Sequence, residues 1–337
     1  MRITGVSTTV FRCPDRQQTL SLVELHTDAG LIGIAVAPAD VDWHVRILVA
    51  DVLTGEDPRA VTALWQQLRQ TQGVRRVAAA ALDSAMWDLK AKAHDEPLWR
   101  ALGALRPRVN VHALTDDLAL VQEHGIRGGT LALSDDADRD LQRLTALHDA
   151  LASRGDVPTL NVAADGHWSA DTAIERVRTL EARYDLSWIE SPTRSDDPAA
   201  LRRVSDAVRA AVCVGRDLDA PAALLPHFEQ HAVDVVQIDT ARHGVTGAMQ
   251  LADAAFGLEL PVTLCDSIGI VHAHLAGAMA SHASMEVALP RLAQAIVASD
   301  VRIEYGWAVA GDRAGNGLVV NRDALAQAVV SSADVPS

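Results

Sequence analysis

Between Pro107 and Pro290 short β-type apolar runs alternate with amphipathic helical runs, and this rhythm constrains the chain more than any other feature. The runs are VNVHAL, GGTLAL, TLNVA, LSWIE, AVCVG, VDVVQID, LPVTLC and SMEVAL, and segments such as ADRDLQRLTALHDALAS, DTAIERVRTLEARY and DPAALRRVSDAVRA lie between them. Strands separated by helices of this length are joined by right-handed crossovers into a parallel sheet. About eight such units predict a closed barrel.

The first hundred residues follow another pattern. RITGVSTTVFR, TLSLVELHTD and LIGIAVAP alternate apolar and polar positions, and the turn dipeptide Ala29-Gly30 separates the last two. They read as an antiparallel sheet with one covered face. From about Asp57 the period becomes helical. Val61, Leu64, Trp65 and Leu68 form one stripe, and Ala81, Leu82, Ala85, Trp87, Leu89 and Ala93 form a longer, largely buried helix. The tail from Ile303 returns through GNGLVV towards the small domain, which divides the chain into a capping part at 1–105, a barrel at 106–300 and a returning segment at 301–337.

Charge and composition remove several function classes. Lys and Arg number 30 against 44 Asp and Glu, a formal net charge of -14, and no basic run exceeds two residues. Nucleic acid is therefore excluded as a partner. Apolar runs stop short of a membrane span and the N-terminus has no signal-peptide core, so a cytoplasmic protein without a membrane partner is expected. Cys13, Cys213 and Cys265 are odd in number and far apart, which predicts no disulfide framework. Cys213 and Cys265 read as small buried hydrophobes.

In a parallel barrel the chemistry sits where strands end. The residues to inspect are His112 and Thr115, Thr130 and Ala132, Ala163, Asp165 and His167, Glu190, Arg216 and Asp217, Asp239, Asp266 and Glu286. Several carboxylates at one mouth ordinarily point to a divalent metal.

ALDSAMWDLKAKAHDEPLWRALG, followed by WIESP, VGRD, VVQID, CDSIGI and a late GNGL turn, resembles the mandelate racemase and muconate lactonizing enzyme branch of the enolase superfamily. The resemblance runs over essentially the whole chain, in the family's order and spacing. It implies a modified (β/α)8 TIM barrel, an α/β fold, under an N-terminal α+β capping domain. It also implies magnesium holding a substrate carboxylate while a base removes the α-proton, followed by racemisation, elimination or cyclisation.

The family's metal carboxylates end the third, fourth and fifth barrel strands, where this chain carries Ala163, Glu190 and Arg216. Only Glu190 is a retained ligand, and an arginine adds a repelling cation, so no cofactor is expected at the usual magnesium site. Two readings of Arg216 stand: an anchor for an anionic substrate or oxyanion, and an internal salt bridge to Glu190 that fills the vacated place. The Lys-x-Lys positions of the lactonizing branch hold Thr130 and Ala132, neither of which is a base.

Asp239 and Asp266 fall at the family's base positions. If they face one another, their pKa values are pushed apart into an acid and a base; the competing reading pairs each with a local Arg, for instance Asp239 with Arg242. Asp165, in line with the strand if extended geometry continues, is a substrate-side candidate beside Thr130 and Arg216, and with Glu190 and Asp217 a candidate for a displaced cation. His167 is a loop histidine that titrates near neutrality, a candidate acid or base and equally an ordinary surface residue. His243 narrows the pocket, while His272 and His274 begin a helix and are structural.

The expected function is proton-transfer lyase or isomerase chemistry on a small anionic molecule, of dehydratase, racemase or cycloisomerase type. The alternatives are a degenerate anion-binding relative and a magnesium-dependent sugar-acid enzyme with a relocated metal. The resemblance further implies a homo-oligomer, and loops at PDRQQ and PADVDW that set specificity.

Overall fold

Alternating burial along the first strands builds an antiparallel sheet from β1 (Ile3–Arg12), β2 (Thr19–Thr27) and β3 (Ile32–Pro38). The computed structural model describes residues 1–13, 19–114, 118–153, 155, 157–265, 271–287 and 296–336. Both faces of this sheet are covered, not one. Val23 and Leu25 pack with Leu82 and Leu89, whereas Leu20 and Leu22 on the other face meet Phe11, Ile296, Leu318 and Leu325. The second face is closed by the end of the chain, which alternation in β2 alone does not reveal.

Helices α1 (Asp42–Leu48), α2 (Val61–Gln70) and α3 (Arg76–Ala93) complete the cap, and α4 (Leu98–Ala101) leads out of it. The α2 stripe Val61, Leu64, Trp65 and Leu68 is buried. In α3 Ala93 is exposed and Trp87 only half-buried. Two aspartates of that helix, Asp83 and Asp88, are instead completely buried.

All eight barrel strands follow: β4 (Arg108–Leu114), β5 (Gly128–Ala132), β6 (Thr159–Ala163), β7 (Leu186–Glu190), β8 (Ala211–Val214), β9 (Val235–Asp239), β10 (Val262–Cys265) and β11 (His282–Val287). They are parallel in sequence order, and β11 closes onto β4 with Glu286 opposite His112. Between them lie α5 (Leu118–Glu123), α6 (Ala137–Ala152), α7 (Ala170–Glu181), α8 (Pro198–Ser205), α9 (Leu225–Glu229), α10 (Thr240–Gly257) and α11 (His272–Ala276).

Short polar residues start these helices by accepting an otherwise unpaired backbone N–H. Asp136 accepts from Arg139 N, Ser169 from Thr172 N, and Asp197 from Ala200 N with Pro198 in the first helical turn. Cys213 and Cys265 are buried free thiols, as is Cys13.

The remaining chain forms β12 (Val297–Ser299), the hairpin β13 (Arg302–Glu304) and β14 (Trp307–Val309), then β15 (Leu318–Val320), α12 (Arg322–Ala328) and β16 (Val329–Pro336). β16 pairs antiparallel with β1, so the end of the chain becomes the fourth strand of the cap sheet.

Buried polar groups of α3 fasten the cap to the barrel and to the returning segment. Asp83 accepts from Thr246 N at 2.8 Å and from Thr246 Oγ1 at 2.6 Å, and that hydroxyl accepts from Trp87 Nε1 at 2.8 Å. Asp88 accepts from Asn316 N, Ile34 N and Lys92 Nζ at 2.7, 2.8 and 2.5 Å. Gly315, in the turn that presents Asn316, has φ of +89°, and a Cβ there would lie 2.1 Å from Asp88 Oδ1. Only glycine fits.

Candidate active site at the barrel mouth

Period-two alternation turns every second strand residue into the barrel. At the carboxyl end this brings Ala163, Glu190 and Cys213 to one level on neighbouring strands, since Ala163 pairs with Glu190 and Glu190 with Cys213. Glu190 is 3% exposed. Its Oε1 accepts from Trp188 Nε1 at 2.9 Å and from Thr130 Oγ1 at 3.2 Å, and its Oε2 accepts from Gln237 Nε2 at 2.8 Å. Burial pushes its pKa up, and these donors, together with the charge of Arg216, oppose the rise. Arg216, half-buried just past β8, is therefore within electrostatic reach of Glu190.

His112, Glu190 and Glu286 are all buried, with ligand atoms within 4.8 Å of one another. His112 Nδ1 is 2.8 Å from Ser284 Oγ, its ring stands edge-on to Trp188, and its Nε2 is buried with no hydrogen-bond partner. Burial lowers the His112 pKa to about 3, so the ring is neutral. Gly128 makes the room, since a Cβ there would sit 3.0 Å from His112 Cβ.

These geometries answer the cofactor question in two parts. Magnesium requires near-octahedral oxygen ligation. At the strand ends expected to carry the family's ligands, Ala163 offers none and Arg216 brings a positive charge. The buried set, however, has an imidazole nitrogen and two carboxylates, which suit a first-row transition ion. Its histidine is oriented by a hydrogen bond through the other ring nitrogen, as metal-binding histidines usually are. The expectation of no cofactor is not supported by this cluster. Sequence reading marked His112 and Glu286 as strand-end residues but missed that barrel closure sets them side by side.

Of the other candidates, Thr130 belongs to the buried set, whereas Asp165 and His167 lie outside it. Thr130 is buried and donates to Glu190. Asp239 ends β9 half-buried and caps α10, accepting from Arg242 N at 3.0 Å, while the Arg242 guanidinium goes to Asp219 at 2.6 Å. The suggested side-chain pairing of Asp239 with Arg242 is thus absent. Asp165 has φ of +51°, which ends the extended geometry. It lies exposed with Asp217 in an open groove beside Arg194 and Ser195. Asp165, Glu190 and Asp217 are therefore not assembled as a relocated cation site, because Glu190 is turned inward. His167 is exposed in the same loop.

His243 is buried, its Nδ1 2.7 Å from the Asp239 carbonyl and its Nε2 2.6 Å from that of Leu218. His272 and His274 are buried in α11, with His274 Nδ1 accepting from Trp99 N. Asp266 and the PDRQQ loop lie outside the described residues. No helix among the described residues is long and apolar enough to cross a membrane.

Comparison with known proteins bears on the same geometry. A family model described as enolase C-terminal domain-like matches residues 113–324, and one for the mandelate racemase / muconate lactonizing enzyme N-terminal domain matches residues 7–103. L-talarate/galactarate dehydratase of Salmonella typhimurium is 30% identical over 234 residues, covering 61% of this chain and 56% of the relative. The 3,6-anhydro-alpha-L-galactonate cycloisomerase of Streptomyces coelicolor is 33% identical over 190 residues, covering 51% and 50%. The chain thus spans about half the length of the curated relatives it matches. In fold it is similar to the crystal structure of L-talarate dehydratase from Polaromonas sp. JS666 complexed with Mg and L-glucarate, with a TM-score of 0.84, 24% identity, and coverage of 100% of this chain and 99% of that one.

Proposed function

The chain belongs to the enolase superfamily, on its mandelate racemase and muconate lactonizing side, and on that premise we propose a lyase or isomerase that moves a proton on a small sugar-acid carboxylate, with Arg216 taking over from the usual magnesium ligands. The observation that carries this reading is the retained, buried Glu190 with the charge of Arg216 acting on it, beside Ala163 at the same barrel level. The substrate class is taken from relatives named for dehydration and cycloisomerisation of acid sugars.

A guanidinium keeps its charge at any working pH and offers a planar fork of donors matched to a carboxylate. At the barrel mouth it holds the substrate anion and stabilises negative charge that develops as the α-proton leaves. Asp239 is the proposed base, because it ends a neighbouring strand and its bond from Arg242 N fixes the carboxylate. Replacing a metal by one cation forfeits part of several kcal/mol of charge stabilisation. The favoured substrates therefore carry an easily removed proton or a good leaving group, as lactones and β-substituted acids do.

A second reading has a specific observation behind it. His112, Glu190 and Glu286 would hold a transition ion at the floor of the same mouth, and that ion would supply Lewis-acid charge to a substrate oxygen. Proton NMR in deuterated water over a panel of sugar acids and their lactones tests both. The first reading expects α-proton exchange or product formation that survives EDTA and falls at least about 100-fold in Arg216→Gln. Activity lost with EDTA and restored by zinc or manganese supports the second. Silence across the panel would overturn both in favour of a non-catalytic anion binder. A homo-oligomer is also proposed, to be checked by light scattering.

A further inference from the structure

Away from the barrel mouth, a small cleft with a volume of about 30 Å³ lies between cap and barrel, lined by Trp65, Arg69, Arg75, Arg76, Asp219 and Arg242 among others. Four guanidiniums in one small cleft are conspicuous in a chain of net charge -14. Two carboxylates answer them. Asp219 is shared between Arg242, at 2.6 Å, and Arg76, at 3.4 Å, and Asp40 pairs with Arg75. Arg69 makes no ion pair or hydrogen bond among the described residues and stacks over Trp65 with its guanidinium carbon 5.7 Å from the ring centroid. Burial and the neighbouring charge of Arg76 both push the Arg69 pKa down. Trp65 is 3% exposed, and its Nε1–H is buried without a hydrogen-bond partner. A buried donor left in this state costs about 1–3 kcal/mol.

We propose that this cleft binds a small phosphate-type oxyanion, free or as the end of a phosphate ester, through Arg69, Arg76 and the Trp65 indole. Such an anion meets the shortage of negative charge, accepts the orphaned indole hydrogen, and matches the guanidinium forks bidentately. All three proposed ligands come from the cap, and the barrel completes the wall of the cleft with Asp219 and Arg242.

Thermal unfolding of the full chain in inorganic phosphate, against chloride at matched ionic strength, provides the test. A ligand that binds only the folded state raises the midpoint saturably. Arg69→Lys keeps a charged stem over Trp65 and should fold, yet weaken phosphate binding at least about tenfold. Arg216→Gln should leave the phosphate shift unchanged. Tighter binding of glycerol phosphate than of inorganic phosphate identifies an ester, and equal binding identifies the free ion. The proposal is overturned by a midpoint that responds to phosphate no more than to chloride, by a shift that persists in Arg69→Lys, or by one that disappears in Arg216→Gln.

Discussion

Thr246→Val removes one hydroxyl and nothing else of size, and it reports on how cap and barrel are joined. Thr246 is buried, and its hydroxyl donates to Asp83 at 2.6 Å while accepting from Trp87 Nε1 at 2.8 Å. A hydrogen bond to a charged group contributes about 1.5–3 kcal/mol, and an indole N–H left unpaired costs about 1–3 kcal/mol. The variant should lose about 3–5 kcal/mol, read from urea unfolding.

The loss should also depend on pH. Burial raises the pKa of Asp83 from 3.8 to about 7, and Thr246 is the chief influence holding it down. A carboxyl whose folded pKa is raised binds its proton more tightly when folded. Stability is then greatest near pH 4 and below, is lost as pH rises between about 4 and 7, and is flat above. Over that window the wild type should lose about 4 kcal/mol from this group. Removing the hydroxyl raises the folded pKa further and extends the decline, so the deficit of the variant should be larger at pH 8 than at pH 5. A deficit under about 1 kcal/mol, or one equal at both pH values, would refute the argument that a buried, ionising Asp83 depends on Thr246.

Three other outcomes are expected. Gly315→Ala forces a Cβ to 2.1 Å from Asp88 Oδ1 at a φ of +89° and should cost at least about 2 kcal/mol in urea unfolding. Ser169→Ala deprives α7 of the acceptor for Thr172 N and should cost about 1 kcal/mol by the same measurement. Millimolar magnesium should leave the thermal midpoint unchanged, while zinc or manganese should raise it in the wild type and not in His112→Ala, because the buried ligand set includes an imidazole nitrogen.

The barrel was legible because each strand is a run of four to seven mostly buried residues set between helical segments, and such runs need no partner to be recognised. The placement of Ala163, Glu190 and Arg216 at or just past strand ends was legible for a related reason, because local register fixes it. What depends on closure was not. Glu286 meets His112 only because β11 pairs with β4. Asp165 was assigned by extending β6, but this residue adopts a left-handed conformation, which Asp tolerates and a strand pattern does not predict. The aspartates of α3 were likewise invisible. Asp83 and Asp88 look like solvent-facing residues until Thr246, Ile34 and Asn316, all distant in sequence, supply their donors.

Those distant donors also tie the cap to the candidate base. Asp239 is the first residue before α10, and four residues on, the His243 ring is held between the carbonyls of Asp239 and Leu218. A neutral imidazole has one N–H, so it donates to only one of these carbonyls at a time, and burial lowers its pKa. The next residue, Gly244, has φ of +63° and breaks the helical geometry there. A Cβ at Gly244 would lie 2.7 Å from Asp83 Oδ2, so the chain reaches this conformation only because glycine lets the backbone press against the buried carboxylate of the cap. Thr246 then clamps the same carboxylate. The start of α10, and with it the direction in which Asp239 presents its carboxylate, is therefore set by a side chain of the capping helix. If Asp239 is the base, Thr246→Val should lower kcat more than it raises KM at temperatures where the variant remains folded, since the loosened segment carries the proton acceptor and not Arg216. A change confined to KM would instead detach the α3 contact from the proton-transfer step.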